Sequence, residues 1–205
     1  MSANSGSGKG NEIKIILLGE SGVGKTSIIN RYVNNKFLSD SGTTLSASYS
    51  TKELVKNKAL YSLKLWDTTG QEKYHSITSI FIKGSNIVIL VYSVDLYSSF
   101  EKLEYWYNNI KEILQEDNYV LAVVGNKTDL IKDEEETVPE EEARNYAKEK
   151  NAQFKLVSCK EDPVGINNLF DTLLEELIKL NCTTENNNSK IKNKNLTEGK
   201  KKKCC

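Results

Sequence analysis

Histidine is almost absent from this chain: His75 is the only one among 205 residues. A histidine-rich metal centre is thereby excluded, and His75, with no ligand cluster around it, is expected on a surface loop. The four cysteines give no disulfide framework, because two of them are the last two residues, Cys204 and Cys205. No apolar run approaches the roughly 20 residues of a membrane span, and the polar start from Met1 to Asn11 lacks a signal-peptide pattern. The chain is expected to be made and kept in the cytosol. Internal repeats are also missing, so the length fits one domain with extensions, large enough to bury a core without covalent staples.

Net charge is absent only as an average. Residues 1–180 hold 21 Lys+Arg against 26 Asp+Glu, a net of −5, whereas residues 181–205 hold 7 Lys against 2 Glu, a net of +5. That basic stretch has Ile191 and Leu196 as its only large apolar residues. It cannot offset its ordering entropy by burial and is expected to be disordered, and the extension 1–11 is expected to be flexible. The acidic block Asp133 to Glu136, with Glu140 to Glu142 after Pro139, reads as a solvated loop and first helical turn rather than a metal site.

What the chain does contain is a glycine-rich turn in a telling place. The apolar run Ile13 to Leu18 empties into Gly19-Glu20-Ser21-Gly22-Val23-Gly24-Lys25-Thr26, with Ser27 following. A strand, this turn and a helix would aim successive backbone N–H groups at one point, where phosphates of a nucleotide can sit. The glycines permit positive φ and close approach, Lys25 can reach the β- and γ-phosphates, and the Thr26 hydroxyl can ligate Mg²⁺.

A second apolar run, Val120 to Val124, leads to Gly125-Asn126-Lys127-Thr128-Asp129. The Asp129 carboxylate can accept two hydrogen bonds from guanine N1–H and its 2-amino group, a donor pair that adenine lacks. The Lys127 stem would cover the ring face. Between these motifs, Trp66-Asp67-Thr68-Thr69-Gly70-Gln71 closes a third run and offers Asp67 to hold Mg²⁺ through water and the Gly70 N–H to face a γ-phosphate.

With these three motifs the chain resembles the Ras-like small GTPases, and within them the Rab family, over about residues 12–180. Rab-like stretches are Thr44-Leu45-Ser46-Ala47-Ser48-Tyr49, Trp66 to Glu72, Phe81 to Ser85, and Val91 to Asp95 leading to Ser99-Phe100. The first of these, with Phe100 to Trp106, is most similar to the early-endosomal branch, the fifth and twenty-first Rabs, the twenty-first nearer.

Periodicity predicts strands near 12–18, 48–55, 60–66, 86–93, 119–125 and 153–157, and helices near 25–34, 98–115, 139–149 and 165–180. The second and third strands form an antiparallel hairpin across Lys56-Asn57-Lys58. The fold class expected is α/β, a P-loop G domain with a mainly parallel six-stranded sheet, one antiparallel hairpin strand and helices on both faces. All motif loops then share the carboxyl edge of the sheet, where ligands of such sheets bind.

The resemblance implies further roles. Loop 35–47 would be the nucleotide sensor; Thr43 and Thr44 are both candidates by position, and the family pattern selects Thr44 as Mg²⁺ ligand and γ-phosphate contact. Release of Thr44 and Gly70 on hydrolysis would be the output. Ser158-Cys159-Lys160 would present backbone N–H groups to the guanine carbonyl, with Cys159 a small buried filler. Gln71 would orient the attacking water, with Lys25 and Mg²⁺ carrying phosphate charge. No arginine stands as an obvious internal finger, so slow turnover and an activating protein are implied. Thr69 replaces the usual alanine and puts the hydrolysis rate in question; Ser93 and Ser46 also depart from the family pattern.

The ending Lys200-Lys201-Lys202-Lys203-Cys204-Cys205 resembles a double-cysteine prenylation signal, read in preference to a nucleic-acid patch. The implied protein is a monomer that binds GTP/GDP and Mg²⁺ but no nucleic acid. Its partners would be an exchange factor, an activating protein, a GDP-dissociation inhibitor and effectors. It would sit on the cytoplasmic face of endosomal membranes, with a cytosolic pool. A pseudo-GTPase scaffold is the alternative, and a P-loop kinase or ATPase a weaker third reading.

Overall fold

The computed structural model describes residues 11–38, 44, 48–68, 75–115, 118–131 and 137–198, with 75–78 and 184–198 as backbone only. In chain order the elements are β1 (Asn11–Leu18), α1 (Lys25–Asn34), β2 (Ser48–Lys56), β3 (Ala59–Asp67), α2 (His75–Ile82), β4 (Ile87–Ser93), α3 (Tyr97–Glu101), α4 (Leu103–Leu114), β5 (Val120–Asn126), α5 (Glu140–Glu149), β6 (Gln153–Leu156) and α6 (Pro163–Glu198). The strands form one sheet in the order β2-β3-β1-β4-β5-β6. Only β2 and β3 pair antiparallel; every other neighbour is parallel, as the βα alternation predicts.

Both faces of the sheet are covered. Along β1, Ile13, Ile15 and Leu17 face one layer with α1 and α6, where Ile28, Tyr32, Phe170 and Leu173 are buried. Ile16 and Leu18 face the other, against Leu103, Trp106 and Ile110 of α4 and Ala143 and Ala147 of α5. The strand's two-residue period therefore feeds two separate cores, and the central strands β4 and β5 are buried throughout. Tyr32 of α1 stacks on Phe170 of α6 at 3.8 Å, locking the first layer.

Register brings the motifs to one edge. Leu17 lies opposite Asp67 and Ser93 opposite Asn126, so the ends of β1, β3 and β5 open on the same side.

Three expectations differ from the structure. His75 does not sit on a loop but opens α2, an element that periodicity did not predict: His75–Ile82 is short, carries no acidic residue in its first turn and no basic one in its last, and so sends no start or stop signal. The helix expected over 98–115 is two helices that meet at Lys102, a right-handed residue at φ −70° and ψ −11° whose N–H and carbonyl still make long 3.3 Å bonds with the Ser98 carbonyl and the Trp106 N–H. The last helix does not stop near 180 but runs to Glu198. No glycine or proline stands between Gly165 and Gly199 to break it, so the backbone ladder continues beyond the packing. Packing ends where expected, with Leu177 the last buried residue among those described and Leu180 partly buried against the core. Among the described residues no helix is long and apolar enough to cross a membrane.

Candidate functional site

The turn between β1 and α1 is built by glycine where nothing else fits. A Cβ on Gly19 would lie 2.1 Å from the Val91 carbonyl oxygen of β4, and Gly24 caps α1 at φ 98° without a side-chain cap. Lys25 is 5% exposed, and its ammonium donates to the carbonyls of Gly19 and Glu20 at 2.8 Å each. Burial pushes its pKa down to about 8, against the attraction of Asp67 and Glu20. A cation so poorly compensated, beside an exposed rim at Ser21 and Gly22, welcomes an anion.

At the next residue, three oxygens from three segments converge. The Thr26 hydroxyl donates its single hydrogen to Asp67 Oδ2 at 2.7 Å, so Thr44 donates in turn to Thr26 Oγ1 at 2.8 Å. The second Asp67 oxygen, Oδ1, is buried without a partner. Burial raises the Asp67 pKa, opposed by the Thr26 hydrogen bond and the Lys25 charge. An orphaned buried carboxylate oxygen beside two hydroxyls is an all-oxygen donor set that fits Mg²⁺. Among the described residues no cluster of three His, Cys, Asp or Glu competes with it as a metal site. Thr68, next in chain, donates to the Leu17 carbonyl at 2.7 Å and pins the end of β3 to β1.

The residues expected to read the base sit beside this anion cradle. Asn126, at the end of β5, donates Nδ2–H to the Val23 carbonyl at 2.9 Å and accepts from the Cys159 N–H and thiol at 3.3 Å each. Lys127 takes a left-handed φ of 69° and swings the chain into a short turn, Thr128–Leu130, that carries Asp129. Asp129 is largely buried; its Oδ1 accepts from the Ser158 hydroxyl at 2.5 Å and the Lys160 ammonium lies 3.9 Å from Oδ2. The Cys159 N–H is only loosely engaged at 3.3 Å, and the Lys160 N–H has no acceptor among the described residues. These are the donors predicted to meet a purine carbonyl. Cys159 is 3% exposed and burial pushes its thiol up to about 12, as befits a filler rather than a nucleophile.

The structure thus gathers Gly19 to Ser27, Thr44, Asp67, Asn126, Lys127, Asp129 and Ser158 to Lys160 at one sheet edge. Thr43, Thr69, Gly70, Gln71, Lys200 to Lys203, Cys204 and Cys205 lie outside the described residues. Ser93 donates its hydroxyl to the Asp95 carboxylate and its N–H to Ser99 Oγ at 3.0 Å, contacts that hold the end of β4 to the turn that follows it.

Two residues escaped the sequence reading. Arg31, in the last turn of α1, donates Nε–H to the Cys159 carbonyl at 2.7 Å and Nη2–H to the Lys160 carbonyl at 3.2 Å. Half-buried Phe37 lies beside it, with the Arg31 guanidinium 6.0 Å from its ring centroid. Neither belongs to a motif; the one available signal is helical phase, which puts Arg31 six residues after Lys25 on a helix that starts at the turn.

Comparison with known proteins agrees with this geometry. A sequence profile described as the Ras family matches residues 14–179. The chain is 40% identical over 164 residues to the Ras-related protein Rab-7b of Bos taurus, covering 79% of this chain and 80% of that protein. It is 38% identical over 172 residues to Rab-21 of Mus musculus, covering 84% and 76%. Over 194 residues it is 34% identical to Rab-31 of Homo sapiens, covering 95% and 97%.

Proposed function

The chain belongs to the Ras family, among its Rab members, which are GTP-hydrolysing small GTPases of vesicle trafficking that bind GTP, GDP and Mg²⁺, and we propose that it acts as a membrane-anchored switch. The observation that carries this reading is the convergence of Thr26, Thr44 and Asp67. Thr44 comes from the 35–47 loop, yet its hydroxyl reaches the P-loop threonine at 2.8 Å. A loop whose Thr44 contacts the phosphate cradle can be held or released by what the cradle contains.

The residues divide the work as follows. The backbone from Glu20 to Ser27 surrounds the phosphates, and Lys25, already held over the loop, adds its charge to them. Thr26 and Thr44 offer hydroxyl ligands, and Asp67, through water, the carboxylate that burial has left half unpaired. Mg²⁺, when bound, neutralises charge growing on the transferring phosphate. Gln71 orients the water, and Gly70 donates its N–H to the γ-phosphate. Asp129 reads guanine N1–H and the 2-amino group, Lys127 covers the ring, and the Ser158-Cys159-Lys160 loop meets the 6-oxo group.

Anchoring falls to Cys204 and Cys205. Two prenyl chains give stable attachment where one acyl chain is marginal, and Lys200 to Lys203 add attraction to anionic lipids. The endosomal compartment is supported by the Thr44 to Tyr49 segment and the similarity to Rab-21. A regulator set of exchange factor, activating protein, dissociation inhibitor and effectors follows from the same reading. Thr69, a hydroxyl-bearing residue in the alanine position, favours one second reading, a nucleotide-bound scaffold with little turnover.

Membrane fractionation with mass spectrometry of the C-terminal peptide tests the anchor. Cys204→Ser with Cys205→Ser moves the protein to the soluble fraction without changing GTP binding. Membrane retention of the double variant, or an unmodified peptide from membranes, contradicts it.

A further inference from the structure

Arg31 has an unusual set of acceptors. Its guanidinium spends three N–H groups on three carbonyls: Cys159 at 2.7 Å, Lys160 at 3.2 Å and Asn35 at 3.2 Å. The first two belong to the loop after β6 expected to meet the purine 6-oxo group. The third is the residue that ends α1 in a left-handed conformation, φ 52°, and opens the 35–47 loop. No carboxylate is paired with it among the described contacts, so the guanidinium's charge falls on peptide dipoles.

Geometry gives this a direction. A carbonyl held by a guanidinium fixes the peptide plane it belongs to, and with it the N–H at the other end of that plane. The Cys159 carbonyl shares its peptide with the Lys160 N–H, the donor without an acceptor among the described residues. Pulling the Cys159 oxygen toward α1 therefore aims the Lys160 N–H the opposite way, away from the helix. Charge on the guanidinium also polarises that peptide and makes its N–H a better donor.

We propose that Arg31 is a positioning residue for purine recognition, holding the Cys159–Lys160 peptide so that its N–H is presented to the base and tying that peptide to the root of the 35–47 loop at Asn35. The inference rests on the guanine-site reading and deepens it: the 6-oxo contact is set from α1, the helix whose other end forms the phosphate cradle. Nucleotide residence time is then controlled from behind the base by a residue that touches no part of the ligand.

Release rates measured on the full chain loaded with Mg²⁺ and either GDP or the diphosphate of 2-aminopurine riboside, which lacks the 6-oxo group and the N1–H that accompanies it, test this. Wild type holds GDP longer. Arg31→Gln should accelerate GDP release about tenfold or more while changing release of the 6-deoxo analogue little, so the ratio between them collapses. Arg31→Lys, which keeps the charge but reaches fewer carbonyls, should recover part of the ratio. Equal acceleration of both ligands, or no acceleration of either, overturns the proposal, since a general loosening of α1 acts on phosphates and base alike. Wild-type protein that holds neither ligand would instead remove the guanine-site reading beneath it.

Discussion

Asn126 at the end of β5 donates to the Val23 carbonyl inside the phosphate loop at 2.9 Å, across 103 residues of sequence. The segments proposed to read the base and to bind the phosphates are therefore one hydrogen-bonded body. A Cβ added to Gly24 would lie 2.2 Å from the same Asn126 nitrogen, so the loop's third glycine exists partly to let this amide in. Asn126→Ala leaves the buried Val23 oxygen without that donor and should cost about 1–3 kcal/mol of nucleotide affinity. Gly24→Ala should cost at least as much, through collision and its φ of 98°. Because both changes destroy one contact, the double variant should bind Mg²⁺·GDP no worse than Gly24→Ala alone; additive losses by calorimetry would show the two sites to be independent.

The Ser158 hydroxyl fixes which way an amide at position 129 would point. It donates to Asp129 Oδ1 at 2.5 Å, so in Asp129→Asn the amide oxygen stays on Ser158 and the NH₂ group turns to the base. That group can donate to a xanthine 2-oxo oxygen but cannot accept from guanine. Preference should pass from guanosine to xanthosine diphosphate, by tenfold or more in the ratio of competition constants, on the order of 1–3 kcal/mol. Unchanged selectivity would remove Asp129 from the base site.

Thiol chemistry should distinguish two cysteines cleanly. Cys159 is buried with its pKa pushed up to about 12, whereas Cys182 is exposed on α6. Only the thiolate attacks, so between pH 7 and 9 Cys159 stays protonated as well as shielded, and its labelling should rise only above that range or on unfolding. Peptide mapping after iodoacetamide should find Cys182 modified and Cys159 intact. Rapid Cys159 labelling in the native protein would contradict its placement as a filler against Asn126.

Much of this was legible beforehand, for identifiable reasons. The helix over 25–34 agrees with the structure to the residue, because a glycine turn starts it and a left-handed Asn35 stops it. The strands differ from expectation by about one residue at their ends, since apolar runs bounded by polar turns mark them. What local pattern could not supply was anything that depends on distant partners. Arg31 reads as a surface helix residue until Cys159, 128 positions on, is brought against it. The extent of α6 is not legible in the apolar pattern, which ends near Leu180, while the helix meets no glycine or proline before Gly199 and continues to Glu198.

The cradle formed by Lys25, Thr26, Thr44 and Asp67 is proposed to serve a guanine-specific hydrolytic cycle, and single-turnover hydrolysis follows that cycle step by step. Protein loaded with GTP and Mg²⁺ should convert bound GTP to GDP slowly, convert no ATP, and stop when Mg²⁺ is chelated. Gln71→Leu should slow conversion while leaving GTP affinity nearly intact, and Thr69→Ala should accelerate it if that side chain obstructs the water. Equal turnover of ATP, hydrolysis indifferent to Mg²⁺, or bound GTP that never turns over even in Thr69→Ala would contradict that role.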